Sequence, residues 1–212
     1  MAEAPPSATD HLVLAVPSLK DGIRNIAGLL GITPAVGGKH PQWRTQNAIV
    51  SLGPRVYLEV MGPDDQPADP TKPRPFGMDQ LASPKLVTWA VRSDDLQETV
   101  LTARSAGINL GEVLSGSRKR PDGVLLQWQM TDLTKDRENG VVPFFINWGT
   151  TTPHPAEASP QGCTLEGLRV FHPDPVRVAH IFAQLGIELA VDSGVAGIEA
   201  TIHTPQGRIV LK

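Results

Sequence analysis

The sequence predicts an α+β fold assembled from repeated strand–helix–strand–strand–strand modules. Three observations predict it. An apolar strand opens three separate stretches: HLVLAV at 11–16, LVTWAV at 86–91 and LEGLRV at 165–170. Each strand leads into a helical pattern that stops at the same dipeptide, Gly31-Ile32, Gly107-Ile108 and Gly186-Ile187. The interval from the strand's final valine to that glycine is 15, 16 and 16 residues. A fixed spacing between a buried strand and a helix stop is the mark of a repeated unit.

In the first block, Ser18 stands where a helix N-cap is needed, with Asp21 three residues on. Ile23, Ile26, Leu29 and Leu30 then recur at helical spacing, and Gly31 suits a left-handed C-terminal cap. The runs NAIVSL and RVYLEV follow as strands. In the second block Ser93 is the expected helix start, and VLLQWQM and PFFINW are the strands. In the third, Asp174 caps and Pro175 takes the first helical position, ahead of strands GIEATIH and GRIVLK. Two Pro-rich connections, GPDDQPADPTKPRPFG and GTTTPHPAEASPQG, neither continue a helix nor pair inside a sheet. The expected organisation is a first module at 8–62, a linker at 63–77, a second module at 78–149, a linker at 150–161, and a shortened third module at 162–212.

Composition excludes several classes. A net charge of −3 and a pI near 6.1 argue against nucleic-acid binding. The basic cluster SRKRP, 117–121, reads as a solvated loop beside a Pro-Asp-Gly turn. A single cysteine, Cys163, rules out an intrachain disulfide and a cysteine-rich zinc site. No apolar stretch is long enough for a membrane span. Residues 1–10 lack the features of a signal peptide and read as a short disordered lead, so the expected location is the cytoplasm. There is no G-x-G-x-x-G after a strand, no P-loop and no G-x-S-x-G elbow, hence no nucleotide cofactor.

Against this apolar background two ionisable residues stand out, His11 in DHLVLAV and Glu59 in VYLEV. A βαβββ repeat with a lone His in its first strand and a lone Glu in its last resembles the vicinal oxygen chelate superfamily. Four stretches resemble its glyoxalase-like domain family in particular: DHLVLAV, the run GGKHPQWRTQNAIVSLGPRVYLEVMGPD from Gly37, VVPFFINWGTTTPHP and GCTLEGLRVFHPDP. The resemblance implies that two modules pair and that their sheets curl around a U-shaped cavity. It further implies metal ligands on the first and last strands of each module, with the paired modules coming from one chain or from a homodimer. In the first module those places hold His11 and Glu59. Aligning the blocks puts Leu86 and Asn147 at the second pair, and Leu165 and Lys212 at the third. Half of a four-ligand set is therefore missing.

Three readings stand open. In one, His40 joins His11 and Glu59 to hold one divalent metal ion (iron, manganese, zinc or nickel) that polarises two vicinal oxygens of a substrate in lyase, isomerase or dioxygenase chemistry. In another, Glu59 is a general base with His11 beside it and no metal is involved. There Thr45, Asn47 and Asn147 hold a carbonyl or hydroxyl, and Trp43, Trp89 and Trp148 wall the cavity. Tyr57 shares Glu59's strand face, and His154 folds back over the cavity mouth or is simply solvated. In the third, His11 and Glu59 form a satisfied buried pair, and the protein binds or sequesters a small molecule without transforming it.

Overall fold

The computed structural model describes residues 3–212; Met1 and Ala2, the first two residues of the expected lead, lie outside it. The remainder of that lead is ordered: the Glu3 carbonyl accepts from the Leu168 amide, and Arg92 donates to the Ser7 carbonyl.

Strand β1 (Thr9–Ala15) leads into helix α1 (Leu19–Leu30), then β2 (Ala35–His40), β3 (Thr45–Gly53) and β4 (Val56–Pro63). The second block repeats that order with β5 (Lys85–Arg92), α2 (Leu96–Ser105), β6 (Val113–Lys119), β7 (Leu125–Thr131) and β8 (Phe144–Asn147). The helix ends follow local chemistry. Ser18 Oγ accepts from the Asp21 amide at 3.3 Å, and Asp174 accepts from the Arg177 amide at 3.1 Å. For α2 the cap is Asp95, not Ser93: the Asp95 carboxylate reaches the Glu98 amide at 2.9 Å, and Ser93 Oγ instead meets the Thr99 hydroxyl. Gly31, Gly107 and Gly186 have φ of 69°, 81° and 67°, the left-handed backbone that a side chain resists.

The two blocks build one mixed eight-stranded sheet in the order β2-β3-β4-β1-β5-β8-β7-β6. Within each block the first and last strands are parallel, β1 with β4 and β5 with β8, and the blocks join through antiparallel β1 and β5. The module pair is thus made within one chain. Strand alternation then sorts side chains onto two faces. Leu12, Leu14, Leu58 and Val60 turn outward, while His11, Val13, Tyr57 and Glu59 turn to the concave side.

The third block, β9 (Thr164–His172), α3 (Pro175–Gln184), β10 (Val191–Ser193), β11 (Gly197–Thr204) and β12 (Gly207–Leu211), keeps the order of elements but pairs them differently. Its sheet runs β10-β9-β11-β12, with β9 antiparallel to β11. It covers the outer face of the large sheet. Leu168, Val170, Phe182 and Ile202 share one core with Leu12, Leu14, Leu86 and Trp89. The Trp89 and Phe182 rings meet edge to face at 6.2 Å, and the Lys212 carbonyl accepts from the Leu86 amide. No helix among the described residues is long and apolar enough to cross a membrane.

Candidate functional site

The concave face encloses a hollow lined on one side by His11, His40, Asn47, Tyr57 and Glu59 from the first block. Phe144, Ile146, Trp128, Met130 and Arg118 from the second face them. Trp43, Phe76, Leu133 and Trp148 close the rest. The free space is only about 30 Å³, room for a water or two.

The register explains the polar side. In the parallel β1–β4 pair, His11 stands beside Tyr57 and Val13 beside Glu59. The imidazole stacks on the Tyr57 ring, centroids 4.5 Å apart and planes 15° apart, and meets the Phe144 edge at 5.3 Å. His11 Nε2 then lies 3.7 Å from Glu59 Oε2. Glu59 Oε1 accepts from Asn47 Nδ2 at 2.5 Å across the β3–β4 pair. Both members of the pair are buried, His11 at 2 % and Glu59 at 6 % exposure.

Asp10 is the residue that sequence reasoning missed. Neighbours in a strand normally face opposite sides, so a carboxylate adjacent to His11 belongs on the outer face. Here β1 bulges: Thr9 pairs with Val91 and His11 with Ala90, leaving Asp10 without a partner across the strand. A bulge re-aims its side chain, and Asp10 Oδ1 meets His11 Nδ1 at 2.6 Å. Oδ2 meets His154 Nε2 at 3.1 Å, and Trp148 Nε1 donates to the same carboxylate at 3.2 Å. Burial acts to raise the Asp10 pKa, but the hydrogen bonds and charges of His11 and His154 outweigh it and hold the carboxyl well below its usual range. A buried carboxylate kept ionised against an imidazole is the orienting element of an acid–base pair.

His40 sits at the far end of β2, its Nδ1 3.1 Å from the Thr45 hydroxyl. Burial pushes its pKa down to about 4, so the ring is neutral at physiological pH. Arg118 overturns the expectation for SRKRP. This segment ends strand β6, where alternation sends Ser117 and Lys119 out and Arg118 in. Its side chain, 5 % exposed, lines the hollow and donates to the Gly37 carbonyl. The alternating pattern of VLSGSRK was the signal available for it.

Of the residues singled out from sequence, the hollow brings together His11, His40, Trp43, Asn47, Tyr57, Glu59 and Trp148. Five others lie elsewhere. Thr45 is beneath it, holding His40. Trp89 faces the outer core and donates its indole N–H to the Val141 carbonyl at 2.8 Å. Asn147 is half-buried beyond the hollow, its amide donating to the Asp94 carbonyl and its oxygen accepting from the Gly149 amide. The block alignment had placed it opposite Glu59 by matching Tyr57 with Phe145. The register pairs Ala90 with Phe144, and it is Phe144 and Ile146 that face inward. A slip of one residue moves every side chain to the other face. Leu86 likewise belongs to the outer core. His154 neither covers the mouth nor meets solvent: it is 3 % exposed, bound to Asp10 behind the His11 ring.

A metal centre is not assembled from these groups. Among the described residues no three His, Cys, Asp or Glu side chains converge in a way that could hold a metal ion. His11 Nε2 and Glu59 Oε2 are two donors 3.7 Å apart, and His40, its Nδ1 on Thr45, is not gathered with them. Catalytic zinc and facial-triad iron sites draw three ligands from the protein, so the metal set of His11, His40 and Glu59 does not fit.

Residues 9–186 match the sequence model of the glyoxalase-like domain family. No curated protein matches the chain. Among solved structures, a hypothetical protein from Staphylococcus aureus superposes over 96% of this chain and 98% of its own, with a TM-score of 0.68 and 12% identity. A mutant of 4-hydroxymandelate synthase from Streptomyces coelicolor covers 98% of this chain, which spans 62% of that protein, with a TM-score of 0.53 and 14% identity. Methylmalonyl-CoA epimerase from Mycobacterium tuberculosis aligns over 69% of this chain and 89% of its own, at a TM-score of 0.42 and 16% identity. At such identities the likeness is one of fold. The family match spans both paired modules and about the first half of the third block, and it agrees with a curled sheet closed around one polar hollow that has the vicinal oxygen chelate fold: the chain belongs to the glyoxalase-like domain family.

Proposed function

We propose that the hollow catalyses proton transfer on a small oxygenated organic molecule, an isomerase- or lyase-type reaction, with Glu59 and His11 as the pair that takes and delivers the proton. The observation that carries this reading is the 3.7 Å approach of His11 Nε2 to Glu59 Oε2, with the other imidazole nitrogen fixed on buried, ionised Asp10. Asp10 accepts from His11 Nδ1–H, and Nε2, carrying the proton to be delivered, faces the hollow. Asn47 occupies Glu59 Oε1 and leaves Oε2 as the free base. Oε2 takes a proton from a carbon next to a carbonyl, and the C–H electron pair moves onto the carbonyl oxygen. The imidazolium delivers a proton to the adjacent carbon or oxygen, and the proton on Glu59 crosses to His11 to restore both groups. The aromatic and thioether wall excludes water from the charged intermediate. No step of this scheme is routed through a metal.

Incubation with 2-oxo and 2-hydroxy carbonyl compounds in D₂O, followed by NMR, tests the reading. Carbon-bound hydrogen is expected to exchange, and Glu59→Gln is expected to slow exchange by about 10²–10⁴-fold with ligand affinity retained. Protein prepared without a histidine tag and dialysed against a chelator is expected to keep its rate; loss restored by added metal would sink the metal-free scheme. Affinity for these compounds with no exchange in any of them identifies a binding or sequestering protein instead.

A further inference from the structure

Three arginines are buried, and they differ in what neutralises them. Arg74, 5 % exposed, is paired with Asp64 at 3.2 Å and Asp79 at 2.5 Å. Arg137, 2 % exposed, donates to the Asp132 and Lys135 carbonyls of its own loop and lies over the Phe144 ring at 5.9 Å. Arg118 has the Gly37 carbonyl and, among the described residues, no carboxylate within ion-pair distance. A guanidinium carries five N–H donors in a planar fork that matches a carboxylate. Glu59, in the hollow that Arg118 also lines, attracts it only from beyond ion-pair distance, and a buried charge without a close counter-charge is unfavourable.

A second group in the hollow is also unpartnered. Asn47, 2 % exposed, gives its amide N–H to Glu59, while its Oδ1 accepts from nothing. Asn47 Oδ1 and Arg118 Nη1 both lie within 3.2 Å of the point where a Cβ on Gly37 would stand. A side chain at Gly37 would collide with Asn47 Oδ1 and crowd Arg118 Nη1. Outside the hollow, across a wall formed by Phe76 and Leu133, lies a larger cleft of about 400 Å³. Lys85, Lys135 and Arg137 line that cleft against Asp136, and Asp132 pairs with Lys135 at 3.6 Å, which leaves a net positive charge. Its basic surface draws anions toward the wall.

We infer that the substrate is a small hydroxy carboxylic acid, its carboxylate held by Arg118 and its hydroxyl donating to Asn47 Oδ1, which sets the reacting carbon beside Glu59. The assignment rests on the hollow being the substrate site, as the proposed function has it. The acid enters from the basic cleft by displacing Phe76 and Leu133, since the closed hollow is too small to contain it. The apolar side, Phe144, Ile146 and Trp128, takes the substrate's organic body.

Titration followed by tryptophan fluorescence tests this directly, because Trp43, Trp128 and Trp148 line the hollow. The probes are lactate, 2-hydroxybutanoate and 3-phenyllactate, with 3-phenyllactamide and 3-phenylpropanoate as controls. At least one hydroxy acid is expected to bind. For the phenyl series, the amide and the acid lacking the hydroxyl should each bind about tenfold more weakly or worse. Arg118→Gln is expected to weaken the acid by about 10–100-fold and leave the amide unchanged; Arg118→Lys, which keeps charge but not the fork, should fall between. Equal affinity for acid and amide in the wild type, full affinity in a folded Arg118→Gln variant, or no binding of any of the three acids overturns the assignment. Acid binding that depends on Arg118 while no compound exchanges hydrogen leaves this inference standing and removes the catalytic one.

Discussion

At the scale of single residues, the site depends on how three neighbouring side chains constrain one imidazole. The Asp10 carboxylate holds Nδ1, the Tyr57 ring holds the plane, and Glu59 waits at Nε2. Asp10→Asn preserves shape and removes the charge. An amide can present its NH₂ to His11 Nδ1 and so reverse the ring's tautomer. The expected result is a loss of at least about 10²-fold in hydrogen exchange. It should come with destabilisation of about 3–5 kcal/mol in urea unfolding, because His154 and Trp148 lose a buried, charged hydrogen-bond acceptor as well. An Asp10→Asn variant with full exchange activity would remove Asp10 from the mechanism and leave it a purely structural group.

At the scale of elements, alternation along strands separates two cores that share one sheet. Trp89 and Trp128 both sit in strands, yet one belongs to the outer core and the other to the hollow. Trp89→Phe is expected to reduce stability by about 1–3 kcal/mol, through lost contacts with Phe182 and the lost hydrogen bond to Val141. It should leave affinity for the hydroxy acids unchanged, since it touches nothing in the hollow. Altered affinity in that variant would mean that the third block, which packs on Trp89, communicates with the site.

At the scale of the whole molecule, burial of titratable groups couples folding to pH. His40 is neutral in the folded protein, with its pKa pushed down to about 4 from an ordinary value of 6.5. Below pH 6.5 the unfolded chain takes up a proton that the native state refuses, so stability declines as the pH falls from 6.5 toward 4. The His40 contribution to that decline is about 3 kcal/mol. The ionised Asp10 carboxylate adds a further loss at more acidic pH, as its folded-state pKa is depressed. Urea midpoints measured at pH 7.5 and 5 should therefore differ in the wild type, and His40→Gln should flatten that part of the profile. An unchanged slope in the variant would mean that His40 is charged in the native state.

What the chain determines without its fold is largely local. Strand alternation, helix caps such as Ser18 and Asp174, and the recurring Gly-Ile stops follow from backbone sterics and nearest-neighbour hydrogen bonds, and these were legible along the sequence. So were His11 and Glu59, because an ionisable group in an apolar strand is conspicuous. Tertiary structure decided the rest. Asp10 reaches the site through a bulge that its own sequence does not announce, and Asn147 leaves it because β5 and β8 pair in a different register from β1 and β4. Arg118 sits in a segment whose composition suggests a solvated loop. Facing, register and long-range pairing arise from contacts between residues far apart along the chain. A side chain's neighbours, and therefore its chemistry, are settled only when the sheet closes.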